Sequence, residues 1–239
     1  MNKVIILLTL LMQTMAANAQ QSQEWRDSVS ILSAQIERNP RNIQLRLKKA
    51  AYNIELGQWQ YALDEYSNVL DLDPKNLTAL YYRGFVNHHL GRYSFARQDY
   101  KSVLSITPYD IHAMMGLILT NLADNHVTQA FDDANRLVGY TPSNAEAYAI
   151  RAEVEMKLQM EEAAILDIEK AIEIEDAVVR QKYPITVDDN MTNYQLTAFS
   201  LYMAKGNRRK ARQALDYLVS NGLSKAYLTD YYDWMTKKK

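Results

Sequence analysis

Residues 57–90 read GQWQYALDEYSNVLDLDPKNLTALYYRGFVNHHL, and residues 91–124 read GRYSFARQDYKSVLSITPYDIHAMMGLILTNLAD. Gly57, Ala62, Tyr66 and Pro74 recur 34 residues later as Gly91, Ala96, Tyr100 and Pro108. Four of the five prolines keep that spacing along the chain: Pro40, Pro74, Pro108 and Pro142. A fixed period of this length indicates a repeat array.

Other columns of the repeat predict two helices in each unit. Asparagine or aspartate follows each of these prolines by two residues and can cap a helix start: Asn42, Asn76, Asp110 and Asn144. Each unit is predicted to turn between its two helices at a single position, which is occupied by Gly57, Gly91, Asn125 and Gln159 in successive units. Glycine and asparagine tolerate the left-handed conformation that ends a helix, and Gln159 takes their place in the fourth unit. Alanines stand twelve residues before each proline from Pro74 onward, and the same offset from Asp176, where a fifth proline would fall, gives the last of them: Ala62, Ala96, Ala130 and Ala164.

Small and large side chains are predicted to interlock between the helices. The first helices carry Ala50, Gly84 and Ala152 against the alanine column. Larger residues at helical spacing are predicted to form the layer between units: Tyr66, Tyr100, Val69, Val103, Leu137, Leu72, Ile106, Tyr140 and Ile174. The third unit departs from this pattern, since Ile118 replaces the small residue and Ala134 replaces the tyrosine.

These columns resemble the tetratricopeptide-repeat family, whose unit also has 34 residues. The resemblance covers four units, from Ile43 to about Val178. It implies an all-α, right-handed superhelical solenoid of antiparallel helix hairpins, with a concave groove that holds peptides or partner domains. It implies no reaction.

The array divides the chain into five predicted segments. They are a signal peptide at 1–19, an N-terminal capping helix at 20–42, four repeats at 43–178, an insertion at 179–191, and a degenerate repeat with a C-terminal capping helix at 192–239. The last repeat turns at Gly206 and carries Ala211 in the alanine column. We expect about twelve helices and no sheet, with the second helix of the fourth unit running on through Val178.

The first nineteen residues have the pattern of a secretory signal. Lys3 precedes an uncharged apolar run from Val4 to Met12, and Ala17-Asn18-Ala19 forms a small-residue cleavage site. A membrane anchor is the alternative, but Gln13 ends the run well short of the roughly 20 apolar residues that span a bilayer. The chain has no cysteine, so neither a lipid attachment point nor a disulfide is available. These features favour export to a Gram-negative periplasm.

Composition and motifs argue against several functions. The 27 basic and 28 acidic residues give a net charge of -1, which does not favour a nucleic acid partner. No motif of a hydrolase, zinc protease, phosphate-binding loop or dinucleotide site occurs, so we predict neither an enzyme nor a cofactor. His88, His89 and His112 are candidate metal ligands if their hairpins stack. The pattern fixes no cysteine or carboxylate beside them, which favours a groove role over a metal site.

The predicted binding residues are apolar and aromatic. Tyr81, Phe85 and His88 form one stripe on the first helix of the second unit. His112, Met115, Leu119 and Leu122 form the corresponding stripe in the third unit, where residues 111–122 contain no charged side chain. The family resemblance places these stripes, with His89, on the concave surface. Burial of the stripes within the chain itself is the alternative interpretation.

The family's clamp for a terminal carboxylate is not predicted here. The matching columns hold Leu47, Ala51, Tyr82, His112 and Gly116 in place of lysine, asparagine and arginine. We therefore predict a non-enzymatic scaffold or adaptor that binds a protein or peptide segment in an apolar groove. The alternative is a structural subunit of a cell-envelope complex that assembles through its C-terminal helix or convex face.

Overall fold

The structure, a computed structural model, describes the backbone of residues 2–181, 189–223 and 231–232, and the side chains of residues 19–177, 190–223 and 231–232. The helices with defined bounds are, in chain order, α1 (Asn2–Arg38), α2 (Ile43–Glu55), α3 (Trp59–Leu72), α4 (Leu77–His89), α5 (Tyr93–Ile106), α6 (Ile111–Ala123), α7 (Val127–Tyr140), α8 (Ala145–Lys157), α9 (Glu161–Gln181), α10 (Asp189–Ala204) and α11 (Arg208–Ser220). These described residues contain no strand, and the predicted all-α fold of helix hairpins is confirmed.

The predicted caps and turns form as the repeat pattern requires. The Asn76 side chain accepts a hydrogen bond from the Ala79 amide at 3.0 Å, and the corresponding bonds begin α2, α6 and α8. The turn residues are all left-handed, at φ +67° for Gly57, +70° for Gly91 and +60° for both Asn125 and Gln159. Each hairpin therefore turns at the residue that the sequence indicates.

The chain forms two compact units, Met1–Thr120 and Asn121–Lys239, so that α6 begins in the first and ends in the second. In the first unit, α1 to α5 pack in chain order, each helix against the next. In the second unit, α7 to α11 do the same. Sequential packing of this kind is what a stack of hairpins produces.

Tyr100 is a central side chain of the first unit. It is 2% exposed and lies between two glycines of neighbouring first helices, Gly84 and Gly116. A Cβ added to Gly116 would come under 3.0 Å from three carbons of the Tyr100 ring, whereas at Gly84 it would lie 3.1 Å from the nearest one. The small residue that matters in the third unit is therefore Gly116, two positions before the fully buried Ile118.

One set of core predictions is wrong. Leu72, Ile106 and Tyr140 were expected in the layer between units, but they are 39%, 42% and 49% exposed. They occupy the last turn of their helices, where the chain leaves the hairpin, and so are covered on one side only. The residues one turn earlier, Val69 and Val103 among them, are buried instead.

The ends of the array extend the predictions in two ways. α1 runs from Asn2 without a break, so it joins the predicted signal to the helix expected from Glu24. α9 continues to Gln181, which confirms the predicted extension through Val178. α10 and α11 turn at Gly206, where the degenerate repeat is predicted to turn. Most of the predicted insertion and C-terminal helix, 182–188, 224–230 and 233–239, lies outside the described residues.

Candidate functional site

A stacked aromatic group lies where α3 begins and α4 ends. The rings of Trp59 and His89 are parallel within 11°, with centroids 4.6 Å apart, and Phe85 meets His89 edge-on at 4.4 Å. Phe85 and His89 are four residues apart on α4 and so share one face of the helix. Trp59 comes from the preceding hairpin because α3 packs against α4. The result is a continuous aromatic face built from two neighbouring units of the repeat.

His88 connects this group to α6. Its Nδ1 lies 3.0 Å from the Thr120 hydroxyl oxygen, while that hydroxyl donates to the Gly116 carbonyl at 2.7 Å. Since the hydroxyl proton is committed to the carbonyl, the ring donates from Nδ1 and keeps Nε2 as an acceptor. Burial, and then the neighbouring His89, lower the pKa of His88 below its ordinary value. The ring is therefore neutral at pH 7.

Tyr81 forms the other end of the aromatic face, at the start of α4. Its ring lies 5.1 Å from Tyr82, 5.8 Å from Tyr100 and 6.3 Å from His112 between centroids. A pocket of about 440 Å³ opens beside it, lined by Leu77, Thr78, Tyr81, Tyr82, Val103, Asp110 and His112. Its single carboxylate, Asp110, accepts from the Ala113 amide as the cap of α6. The pocket walls are thus mainly rings and aliphatic carbon.

We call Trp59, Tyr81, Phe85, His88, His89 and His112 the α4 aromatic surface. His89 and His112 are exposed, and the other four are partly buried. The six are one tryptophan, one tyrosine, one phenylalanine and three histidines, with no aspartate, glutamate, lysine or arginine among them. The surface can therefore cover apolar groups of another chain while its histidine and tyrosine edges exchange hydrogen bonds.

The structure separates the eight predicted binding residues into two groups. Tyr81, Phe85, His88, His89 and His112 lie on the surface just defined, and Leu119 is partly buried. Met115 and Leu122 differ from the expectation, since they are only 5% and 8% exposed. α6 is apolar on all sides, so part of its predicted stripe belongs to the core. These two residues are therefore core residues and offer little area to a partner.

Sequence reasoning missed Trp59. It begins a second helix, whereas the predicted stripes came from first helices only. Its 34-residue counterpart is Tyr93, whose ring lies 5.7 Å from His88. The sequence did contain a signal for this contact. Trp59 and Tyr93 occupy the same position in two successive repeats, and the first helix between them ends in two histidines.

Arg83 and the buried Asp99 form a charged pair between α4 and α5. Arg83 grips both oxygens of Asp99, with Nη2–Oδ1 at 2.6 Å and Nε–Oδ2 at 3.0 Å, and Asn87 donates to the same carboxylate at 3.2 Å. These groups line a second pocket of about 370 Å³ with Phe95 at its edge. Arg83 and Asp99 already satisfy each other, and the second arginine of this pocket, Arg92, donates to the Gln60 side chain at 3.2 Å.

Among the described residues, no three histidine, aspartate or glutamate side chains come together in a way that holds a metal ion. None of the helices in that part of the chain has the length and apolarity that a bilayer crossing requires.

Comparison with known proteins identifies the repeat. A family model described as TPR repeat, for tetratricopeptide repeat, matches residues 54–91, which contain α3 and α4. No curated protein matches the chain. Among solved structures, PilW, described as a widely conserved type IV pilus biogenesis factor, aligns with a TM-score of 0.72 at 16% identity, covering 91% of this chain and 96% of PilW.

Two further solved structures have the same fold. A tetratricopeptide repeat protein from Parabacteroides merdae aligns with a TM-score of 0.65 at 20% identity, over 91% of this chain and 80% of its own. YrrB, described as a TPR protein with an unusual peptide-binding site, aligns with a TM-score of 0.55 at 18% identity, over 84% and 97%. Identities this low establish a common fold and leave the partner open.

Proposed function

We propose that this chain, a tetratricopeptide-repeat protein, is a non-enzymatic scaffold that binds an apolar segment of a partner protein on the α4 aromatic surface. The observation that carries the proposal is the face formed by Trp59, Phe85 and His89, in which rings from two hairpins stack. The α4 aromatic surface to which they belong contains no aspartate, glutamate, lysine or arginine. Aromatic residues dominate the energetic centres of protein interfaces because they bury large apolar area with few rotatable bonds.

The preferred ligand is an uncharged segment with bulky side chains. A carboxylate or ammonium group placed among these rings would lose its hydration without gaining an ion pair. The pocket beside Tyr81 and His112 has the volume for one or two large side chains at about 440 Å³. Nδ1 of His88 is already bonded to Thr120, which leaves Nε2 as an acceptor, and the exposed His89 and His112 can bond to a partner through either ring nitrogen.

Replacement of Phe85 tests the proposal. We expect Phe85→Ser to weaken capture of the partner about 10- to 100-fold, the range found when an aromatic residue at an interface centre is truncated. The measurement is affinity capture from the cell's own envelope fraction, with recovered proteins quantified against wild type. Far-UV circular dichroism and thermal unfolding of each variant report whether the fold is retained.

Phe95→Ser is the matched control. Phe95 lies on α5 of the same unit, outside the α4 aromatic surface, and is 59% exposed. It should leave both capture and stability unchanged. Equal losses of capture for the two variants would refute the surface as the binding site. Unfolding of Phe85→Ser alone would show that Phe85 is a core residue, which would also refute it.

We also propose that the scaffold works after export. The support is the pattern of Lys3, the apolar run Val4–Met12 and the Ala17-Asn18-Ala19 site. Mass spectrometry of protein purified from the native host should then give Gln20 as the mature N-terminus. An N-terminus that retains the first nineteen residues would contradict cleavage.

A further inference from the structure

A buried polar column recurs along the repeat and changes character in the fourth unit. At one position of the first helix, successive units place Asn53, Asn87, Asn121 and Glu155, all of them buried. Facing them twelve residues later, on the second helix, are the buried carboxyl groups of Glu65, Asp99, Asp133 and Asp167. Only the fourth unit therefore pairs a carboxyl group with another carboxyl group at this position.

The second unit shows what the asparagine does. Asn87 donates from Nδ2 to Oδ2 of Asp99 at 3.2 Å, and Arg83 neutralises the same carboxylate. Asn121 donates likewise to Asp133, at 3.5 Å. Because an amide supplies its own proton donor, the cluster of Arg83, Asn87 and Asp99 is neutral and bonded.

The fourth unit keeps the arginine and the aspartate but loses the amide. Arg151 grips Asp167 through Nε–Oδ2 at 2.5 Å and Nη2–Oδ1 at 2.8 Å, and its Nη1 donates to Asn135 at 3.1 Å. Glu155 is left with Oε1 at 4.0 Å from Nε of Arg151, and among the described residues Oε2 has no hydrogen-bond partner. One cation thus serves two buried carboxyl groups.

Charged groups of α7 and α9, the two helices that pack against α8, pair with other residues. From α7, Asp133 pairs with Arg136 at 3.6 Å. From α9, Lys170 pairs with Glu173, Glu169 with Lys210, and Glu161 and Glu162 with Lys205. On α8 itself, Glu153 and Lys157 are exposed. The described residues therefore offer Glu155 no second cation.

We infer that Glu155 and Asp167 form a proton-binding site, in which Glu155 is protonated near neutral pH and donates its hydroxyl hydrogen to the Asp167 carboxylate. The bound proton supplies the hydrogen-bond donor that the asparagine amide supplies in the second and third repeats. With it, the cluster of Arg151, Asp167 and Glu155 has no net charge and its donor is satisfied. Without it, a carboxylate that is 5% exposed carries an uncompensated charge.

The electrostatics agree with this geometry. Burial, and then the charge of Asp167, raise the pKa of Glu155 from 4.5 to about 7. A carboxyl group whose pKa is higher in the folded than in the unfolded state contributes stability that is complete below pH 4.5 and is lost as the pH rises through about 7. The compact unit Asn121–Lys239, which contains Glu155, should accordingly become less stable between pH 5 and pH 8.

Replacement of Glu155 by its neutral isostere tests the inference on the full chain. Thermal unfolding by circular dichroism is measured from pH 5 to pH 8 for wild type, Glu155→Gln and Glu153→Gln. We expect the wild-type Tm to fall over this range and Glu155→Gln to fall less, so that at pH 8 it unfolds about 3 °C or more above wild type. Glu153→Gln, an exposed site on the same helix, should follow wild type.

Two results would overturn the inference. One is a Glu155→Gln curve parallel to that of wild type across the whole range. The other comes from 13C NMR of the side-chain carboxyl carbons in the wild-type protein, assigned with the Glu155→Asp variant. A Glu155 signal that titrates at the ordinary glutamate value would show no bound proton at pH 7. The NMR measurement is made on the wild-type protein, so it tests the protonation of Glu155 even if Glu155→Gln does not fold.

Discussion

Adding one methyl group at Gly116 tests the packing that holds the α4 aromatic surface in place. In Gly116→Ala the new Cβ would lie under 3.0 Å from three carbons of the Tyr100 ring, closer than real Cβ contacts allow. Tyr100 is 2% exposed and fits between Gly116 and Gly84, so its ring has no free space to enter. Overpacking of this kind costs about 1–3 kcal/mol.

The net effect is smaller, because alanine is a better helix former than glycine. That gain is about 1 kcal/mol in the middle of a helix. We therefore expect Gly116→Ala to lower the free energy of unfolding by up to about 2 kcal/mol, which corresponds to a Tm lower by up to about 8 °C for a chain of this size. Chemical unfolding followed by circular dichroism measures the first quantity, and a thermal scan the second.

Two other helical glycines provide a graded comparison. A Cβ at Gly84 would lie 3.1 Å from the nearest Tyr100 carbon, and one at Gly139 meets nothing within 4 Å. Gly139→Ala should thus raise stability slightly, and Gly84→Ala should fall between the two. The reasoning would be refuted by a Gly116→Ala protein as stable as Gly139→Ala. It would also be refuted if exchange of Tyr100 for leucine left the cost of Gly116→Ala unchanged.

Two further predictions concern buried polar groups of the first unit. No described residue forms a hydrogen bond with the side-chain amide of the buried Asn53, because Glu65 pairs with Arg46 and Lys49 instead. Glu65→Asp, which gives this repeat the residue of the other three, should supply a partner for that amide and raise the Tm by about 2–4 °C. A lower Tm in a thermal scan would contradict this. The pKa of His88 in the folded protein is below its ordinary value of 6.5, so folding stability should fall as the pH drops below 6.5. In thermal scans at pH 5 and pH 7.5, His88→Gln should lose less stability at the lower pH than wild type does. An equal loss in the two proteins would contradict this prediction.

Much of the fold could be predicted because the repeat shows each constraint several times. A single Asn or Gly says little, but Asn76 capping α4 and Gly91 turning at φ +70° were supported by their counterparts 34 residues away. The pattern failed where position along a helix decides burial. Leu72 shares the helical spacing of the buried Val69, yet the last turn leaves it 39% exposed.

The candidate site was predicted less completely. Periodicity placed Tyr81, Phe85 and His88 on one face of α4, but it could not rank the faces of α6, where nearly every residue is apolar. Met115 therefore entered the predicted surface although it is buried. Trp59 was missed since its contact with His89 joins two hairpins. The Glu155 site depends on which buried group lacks a partner, and that is a property of distances rather than of residue spacing.

The spacing of the buried partners has a consequence for insertions and deletions. Asn87 and Asp99 meet because the turn at Gly91 holds α4 and α5 in a fixed rotational phase. Loss of one codon from this turn would rotate α5 by about 100° relative to α4. Asp99 would then no longer reach Arg83, and Tyr100 would no longer pack against Gly84. Loss or duplication of a whole 34-residue block preserves every such phase. Length variation within the array should therefore occur in whole blocks, and other changes in length should collect at its ends.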